Sequence, residues 1–222
     1  IVWPELNVNV VSTTEQWAGA AIAGPNSRNL LQKLFPDVNV SNEGLPFMGY
    51  LESNLFGIPA RIFRISFSGE LAYEVNVESD NGNYMWEKII EIGKEFSIQP
   101  YGTEALSTLR IEMGHVAGSE LDGRTIPYDN GLDGLVSKKK DFIGKRSLTR
   151  SDIVRSDRKQ LVGLVPLNKA YGIEEGQHVI EEKNLNTPIK KPVKMLGHVT
   201  SSYFSPTLNH CVAMALIKGG NR

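Results

Sequence analysis

The sequence predicts an α+β protein: a mixed domain over residues 1–150, followed by a small antiparallel β-barrel or sandwich over residues 151–222. Three observations predict it. Residues 60–78 alternate apolar and polar side chains with the period of a strand, around a Ser68-Gly69-Glu70 turn. Apolar residues recur at helical spacing in three places, around residues 30–35, 84–96 and 103–113. Beyond Arg158, four short strand-like segments follow one another with turns between them and no convincing helix. The polar stretch from Arg146 to Arg158 separates these patterns and marks the expected boundary.

Taken in order, residues 8–11 and Trp17–Ala23 read as strands, the second ending at Gly24-Pro25. Pro25 suits the start of a helix, and Leu30, Leu31, Leu34 and Phe35 give that helix one apolar face until Pro36 stops it. Residues 36–59 hold three prolines and three glycines and read as loops with one short strand. The hairpin of residues 60–67 and 71–78 follows. Ser79 or Asp80 can cap the next helix, with Tyr84, Trp86, Ile89, Ile90 and Phe96 as its buried face. After the break at Gln99-Pro100-Tyr101-Gly102, Thr103 caps a helix that runs to Met113 and closes at Gly114. Leu106, Leu109 and Met113 form its expected buried stripe. The loop of residues 117–134 is rich in Gly, Asp and Pro and long enough to be functional. Residues 160–167, 176–181, 196–203 and 211–217 are the strands of the second domain.

Two side chains stand out as candidates. In an extended chain Leu71, Tyr73, Val75 and Val77 share one face, while Glu70, Ala72, Glu74 and Asn76 share the other. The first is a core face. The second is either a wetted surface or the polar lining of a cavity, and a carboxylate in an apolar cavity accepts the adjacent N–H donors of a flat heterocycle. Glu74 occupies the position for that contact. Arg110 lies beside the apolar stripe of its helix, either as an exposed arginine or as a guanidinium reaching past the rim of a sheet.

The 222 residues carry a formal net charge of −1 and 41% hydrophobic content. That balance favours neither nucleic acid nor an anionic membrane as a partner. Lys138, Lys139 and Lys140 form a solvated turn or a phosphate or polyglutamate contact. Cys211 is the single cysteine, so no intrachain disulfide forms, and a reducing, cytoplasmic setting is expected. It lies in an apolar run as a packed thiol. His178, His198 and His210 are spaced like no zinc or iron site, so no metal is expected. No apolar run has the ~20 residues of a membrane span. Neither a phosphate-binding glycine loop nor a nucleophile elbow is present.

Several segments together carry a resemblance. They are Gly69-Glu70-Leu71-Ala72-Tyr73-Glu74, then Pro100-Tyr101-Gly102-Thr103-Glu104-Ala105-Leu106 leading to Leu109-Arg110-Ile111-Glu112-Met113-Gly114, then Gly131-Leu132 and Lys140-Asp141-Phe142-Ile143-Gly144-Lys145. In order and spacing they resemble the aminomethyltransferase (T-protein) family of the glycine cleavage system. Thr13-Thr14-Glu15-Gln16-Trp17-Ala18, Gly114-His115-Val116-Ala117-Gly118 and the segment from Leu196 to Tyr203 are similar to the carboxy-terminal half of the alpha subunits of heterotetrameric sarcosine oxidases. The resemblance covers nearly the whole chain.

The resemblance implies a folate-binding aminomethyltransferase-like domain, incomplete at its start, followed by a small barrel. It implies that Glu74 binds the pterin N–H groups of tetrahydrofolate, with Tyr73 and Phe67 near the pterin and Arg110 helping to hold the acidic tail. The family often has tyrosine where Phe67 stands, so one hydroxyl contact is missing. The implied chemistry is one-carbon capture: a flavin-bearing beta subunit oxidises sarcosine's N-methyl group to an imine, and folate takes the carbon as methylene-tetrahydrofolate, leaving glycine. Small subunits complete the heterotetramer, and flavin and NAD bind only in other subunits or in domains outside these residues. The family's catalytic aspartate falls on a segment ahead of Trp3. The expectation is therefore the later part of a longer polypeptide that cannot complete the folate reaction alone. Two alternatives are a free-standing glycine-cleavage-type aminomethyltransferase, which would need a lipoyl carrier, and a non-catalytic folate-binding or assembly module.

Overall fold

The computed structural model describes residues 4–185 and 192–220; Trp3, the landmark for the aspartate expectation, lies outside them. The chain divides into two compact units, Ile1–Pro100 and Tyr101–Arg222. Residues 101–150, grouped by sequence pattern with the first domain, belong by contact to the second unit.

In the first unit, β1 (Trp17–Ala23), β2 (Tyr50–Leu55), β3 (Ile58–Phe63) and β4 (Ala72–Glu78) form one antiparallel sheet in the order β1-β4-β3-β2. Helices α1 (Ser27–Leu34) and α2 (Gly82–Gly93) supply the apolar side chains that cover one face. Alternation along β4 decides what is buried: Tyr73, Val75 and Val77 are inside, packed with Ile22, Ile62, Leu31 and Phe35, while Glu74 and Asn76 are half-buried on the other face. Each fully buried side chain of this size contributes about 1.5–3 kcal/mol.

The α1 prediction holds, with Leu30, Leu31, Leu34 and Phe35 all buried. Ser27 Oγ ties the helix start to the Leu71 carbonyl at 2.8 Å. For α2 the buried residues are Met85, Ile89 and Gly93. Tyr84 and Trp86 are exposed, because the i, i+4, i+8 line through Met85 faces the sheet and turns its neighbours to the flanks. Gly93 suits that line, since a Cβ there would meet Ile98 Cγ2 at 2.6 Å.

Two further expectations are corrected. Residues 8–11 have no strand pairing among the described residues, and Val10 is 93% exposed; β-branched residues without a neighbouring strand have no ladder to join. The expected hairpin is real but its ladder stops early, at Phe63 opposite Glu74, leaving residues 64–71 as the connection. Arg64 draws the chain aside there, donating its backbone N–H to Gly49 and its guanidinium to the Leu45 carbonyl. The tight hairpin is instead β2–β3, turned by Phe56 and Gly57, both at positive φ, as a two-residue type I′ turn requires.

The second unit opens with α3 (Thr103–Met113), closed by Gly114 at φ 78°. Its buried residues are Arg110 and Ile111, while Met113 is exposed. The expected Leu106–Leu109–Met113 stripe is thus displaced, because Ile111 is the side chain that packs on the sheet. That sheet holds β5 (Lys159–Leu164), β6 (His178–Ile180), β7 (Met195–Ser205) and β8 (His210–Lys218), antiparallel in the order β5-β8-β7-β6. Ile111 contacts Val212 and Met214, with Leu161 and Tyr203 alongside. A bulge interrupts β7, so Val199 faces Ala215 while Ser201 faces Met214; Thr200 and Ser201 are consequently both buried. No helix among the described residues is long and apolar enough to cross a membrane.

Candidate functional site

The face of the first sheet opposite the helices carries two rows set by strand register. One runs Ala21–Glu74–Phe63–Tyr50 and the other Gly19–Asn76–Arg61–Glu52. The rows are small on β1, polar on β4 and aromatic or charged on β3 and β2. This gradation leaves a cavity of about 270 Å³ lined by Trp17, Arg61, Phe63, Ile65, Glu74 and Asn76. Gly19, opposite Asn76, leaves that lining side chain its place: a Cβ there would lie 2.7 Å from Asn76 Oδ1.

Arg61 is the cavity's cation. Its guanidinium lies 3.8 Å from the centre of the Trp17 ring and its Nε 3.4 Å from Glu52. Tyr50 donates its hydroxyl to Glu52, and this contact, with some burial, holds the phenol above its ordinary pKa. The Tyr50 and Phe63 rings meet at 4.9 Å between centroids, fixing the aromatic side of the wall.

Glu74 differs from these neighbours. Its carboxylate is half-buried on the wall and has no hydrogen-bond or ion-pair partner among the described residues. An unpartnered carboxylate next to Phe63 and Ile65 can accept N–H donors, with apolar surface beside it.

The other sequence candidates are not among the residues that line this cavity. Tyr73 points into the core from the adjacent position, fully buried, and its hydroxyl accepts a 2.9 Å bond from Arg28 Nε. Phe67 is exposed in the connection after β3 and does not line the cavity. Arg110 is in the second unit, and its guanidinium donates to Glu120 Oε2 at 2.8 Å, Ser201 Oγ at 2.8 Å and the His115 carbonyl at 3.2 Å. Glu120, with no exposed surface, also accepts from Ala117 N–H and Ser201 Oγ. Burial pushes its carboxyl up, but the Ser201 and Thr200 donors, the Ala117 amide and the Arg110 charge outweigh that and hold it below the usual range. Arg110 and Glu120 therefore form a satisfied internal pair that fastens residues 115–120 to α3 and β7.

Asn76 shares the Glu74 face that the sequence offers as a cavity lining, whereas Trp17, Arg61, Phe63 and Ile65 are not marked by the sequence as cavity residues. The signal for three of them is present: Arg61, Phe63 and Ile65 are spaced by two, as Glu74 and Asn76 are, and antiparallel pairing sets Arg61 opposite Asn76 and Phe63 opposite Glu74, with Ile65 following just past the ladder. Nothing local marks Glu120, whose role depends on a bulge 81 residues away.

Comparison with known proteins agrees with this architecture. Residues 2–140 match the family model of the GCVT N-terminal domain, and residues 159–222 that of the glycine cleavage T-protein C-terminal barrel domain. The sarcosine oxidase subunit alpha of Corynebacterium sp. (strain P-1) is 46% identical over 98% of the chain, which spans 22% of that subunit. The same subunit of Rhizobium meliloti (strain 1021) is 42% identical over 99% of the chain and is again matched over 22% of its length. The aminomethyltransferase of Halothermothrix orenii is 32% identical, with 94% of the chain covering 55% of that protein. In fold, the glycine cleavage system aminomethyltransferase T of Bartonella henselae superposes with a TM-score of 0.74, over 91% of the chain and 52% of its own, at 24% identity. Two consecutive family matches, laid over two antiparallel sheets in the same order, lead to one conclusion: the chain belongs to the glycine cleavage T-protein family.

Proposed function

We propose that the chain is the tetrahydrofolate-handling part of a sarcosine-oxidase-type alpha subunit. The observation that carries this reading is the unpartnered Glu74 carboxylate on an apolar cavity wall. The residues present fit a pterin: Glu74 accepts from its adjacent N–H groups, and Phe63 and Ile65 offer an apolar surface beside it. Bound folate would supply the nucleophilic nitrogen that takes up a one-carbon unit as methylene-tetrahydrofolate.

The chain's own contribution in this reading is position and exclusion. Glu74 fixes the ring's orientation through a charge-assisted contact. Phe63, Ile65 and Trp17 keep water from the bound face, and exclusion of water prevents loss of the one-carbon unit by hydrolysis. The amine would be oxidised in a flavin-bearing partner subunit, so the protein is expected to co-purify with one. The higher identity to sarcosine oxidase alpha subunits than to aminomethyltransferases, 46% against 32%, favours this over the free-standing transferase.

The test is an anaerobic titration of the protein with tetrahydrofolate, followed by tryptophan fluorescence, beside Glu74→Gln. Saturable binding weakened in the variant by roughly 1.5–3 kcal/mol is expected for loss of a charge-assisted hydrogen bond. Equal binding by both forms would overturn the Glu74 assignment, and no binding by either would overturn the folate reading.

A further inference from the structure

The second unit holds a cleft of about 420 Å³, further along β8 from the α3 contact. Met195, Leu196 and Leu216 give it an apolar floor. The walls carry five basic side chains, Arg124, Arg155, Arg158, Lys159 and Lys218, against the two carboxylates of Asp129 and Asp157.

Arg124 is paired with Asp122 beside the cleft, and the two carboxylates in the walls still leave one of the other four cations without a partner among the described residues. Asp129 is buried and committed to Arg158, whose Nε donates to Oδ1 at 2.9 Å. Asp157 is shared between Arg155 at 2.8 Å and Lys218 at 3.4 Å. Lys159 has no ion-pair partner among the described residues, and the register of β5 and β8 sets it directly opposite Lys218. Like charges directly opposed across an antiparallel pair destabilise it. His198 lies in the same cleft, where burial and then the charges of Lys159 and Arg124 lower its pKa, against a smaller opposing pull from Asp122. Its imidazole is thus neutral near pH 7 and offers a single N–H donor.

We propose that this cleft binds a small organic oxyanion with two or more negative charges, phosphate or carboxylate, between Lys159 and Lys218. Its carbon part rests on Met195, Leu196 and Leu216, and its charge relieves the opposition of the two lysines. Lysine presents rotatable donors on a long stem, so two of them close on oxygens of varied geometry. The site shares no residue with the Glu74 cavity and does not depend on what binds there.

Calorimetric titration of the full-length protein with pyrophosphate and, separately, with citrate at low ionic strength tests this. The comparison is the Lys159→Gln/Lys218→Gln double variant, with thermal melts of both forms. Expected are one site per chain, binding weakened at least about tenfold in the variant, and an anion-free melting temperature no lower than that of the unmodified protein. Saturation by pyrophosphate alone identifies a phosphate ligand, and saturation by citrate alone a carboxylate ligand. Failure of both to saturate, or equal affinity in a folded double variant, would overturn the proposal.

Discussion

The guanidinium of Arg61 lies 3.8 Å from the ring centre of Trp17, across Asn76 of β4, the strand between theirs. Trp17 is thereby part of the cavity wall, whereas Trp86 lies exposed on α2. A ligand entering the cavity must therefore change the surroundings of Trp17. Trp17→Phe is expected to abolish most of any ligand-induced fluorescence change, and Trp86→Phe to leave it intact, as a fluorescence titration of both variants would show.

Gly19 and Gly197 respond differently to alanine. At Gly19 the new methyl meets the end of the Asn76 side chain, which can swing aside, so stability should change little while cavity binding weakens several-fold. At Gly197 it meets the Leu216 carbonyl oxygen at 2.1 Å, backbone that cannot yield without breaking the β7–β8 ladder. Gly197→Ala should cost about 1–3 kcal/mol or more in urea denaturation.

Tyr73 lies on the core side of β4, so its hydroxyl acts on Arg28 and not on the cavity. Tyr73→Phe is expected to lower stability by about 1 kcal/mol and leave ligand affinity within about twofold. A larger loss of affinity in the same titration would return Tyr73 to the binding site.

Glu120 gives the second unit an acid sensitivity with a defined sign. Its pKa in the folded chain is below the ordinary value of 4.5, so its contribution to stability is complete above that pH and is lost as pH falls through the lower folded value. Glu120→Gln should flatten the fall in stability below about pH 4.5. Glu120→Ala, which leaves Arg110 buried without its charge partner, should cost about 3–5 kcal/mol at neutral pH. Denaturant titrations across pH check both.

What could be read from the residues follows from where the decisive contact sits. The strand Trp17–Ala23, the α1 face and the buried side of β4 are local alternations, and each stands in the structure as the pattern has it. The β2–β3 turn was not legible, because Phe56 occupies a positive-φ position where Asn or Gly would signal a hairpin. Of the face expected for α2, Ile89 is buried while Tyr84 and Trp86 are exposed, and on α3 Ile111 takes the place of the expected stripe, because the sheet decides which side of a helix is covered, and it selects Met85 and Ile111. Glu74 was legible as a candidate because its strand alternates cleanly. Its company was not, since Trp17 and Arg61 reach it only through strand pairing.

The single extra residue in β7 acts as a change of phase. Before it, even-numbered Leu196 and His198 face the side of the sheet that bears Leu216; after it, odd-numbered Ser201 and Tyr203 face that same side, opposite Met214 and Val212. One strand thus serves a charged cleft at one end and a helix anchor at the other, although no alternation of its sequence spans both. Insertion or deletion of one residue at Thr200 would exchange the two parities, turning either His198 or the Glu120 partner Ser201 to the wrong side, so the strand's length is as constrained as its composition.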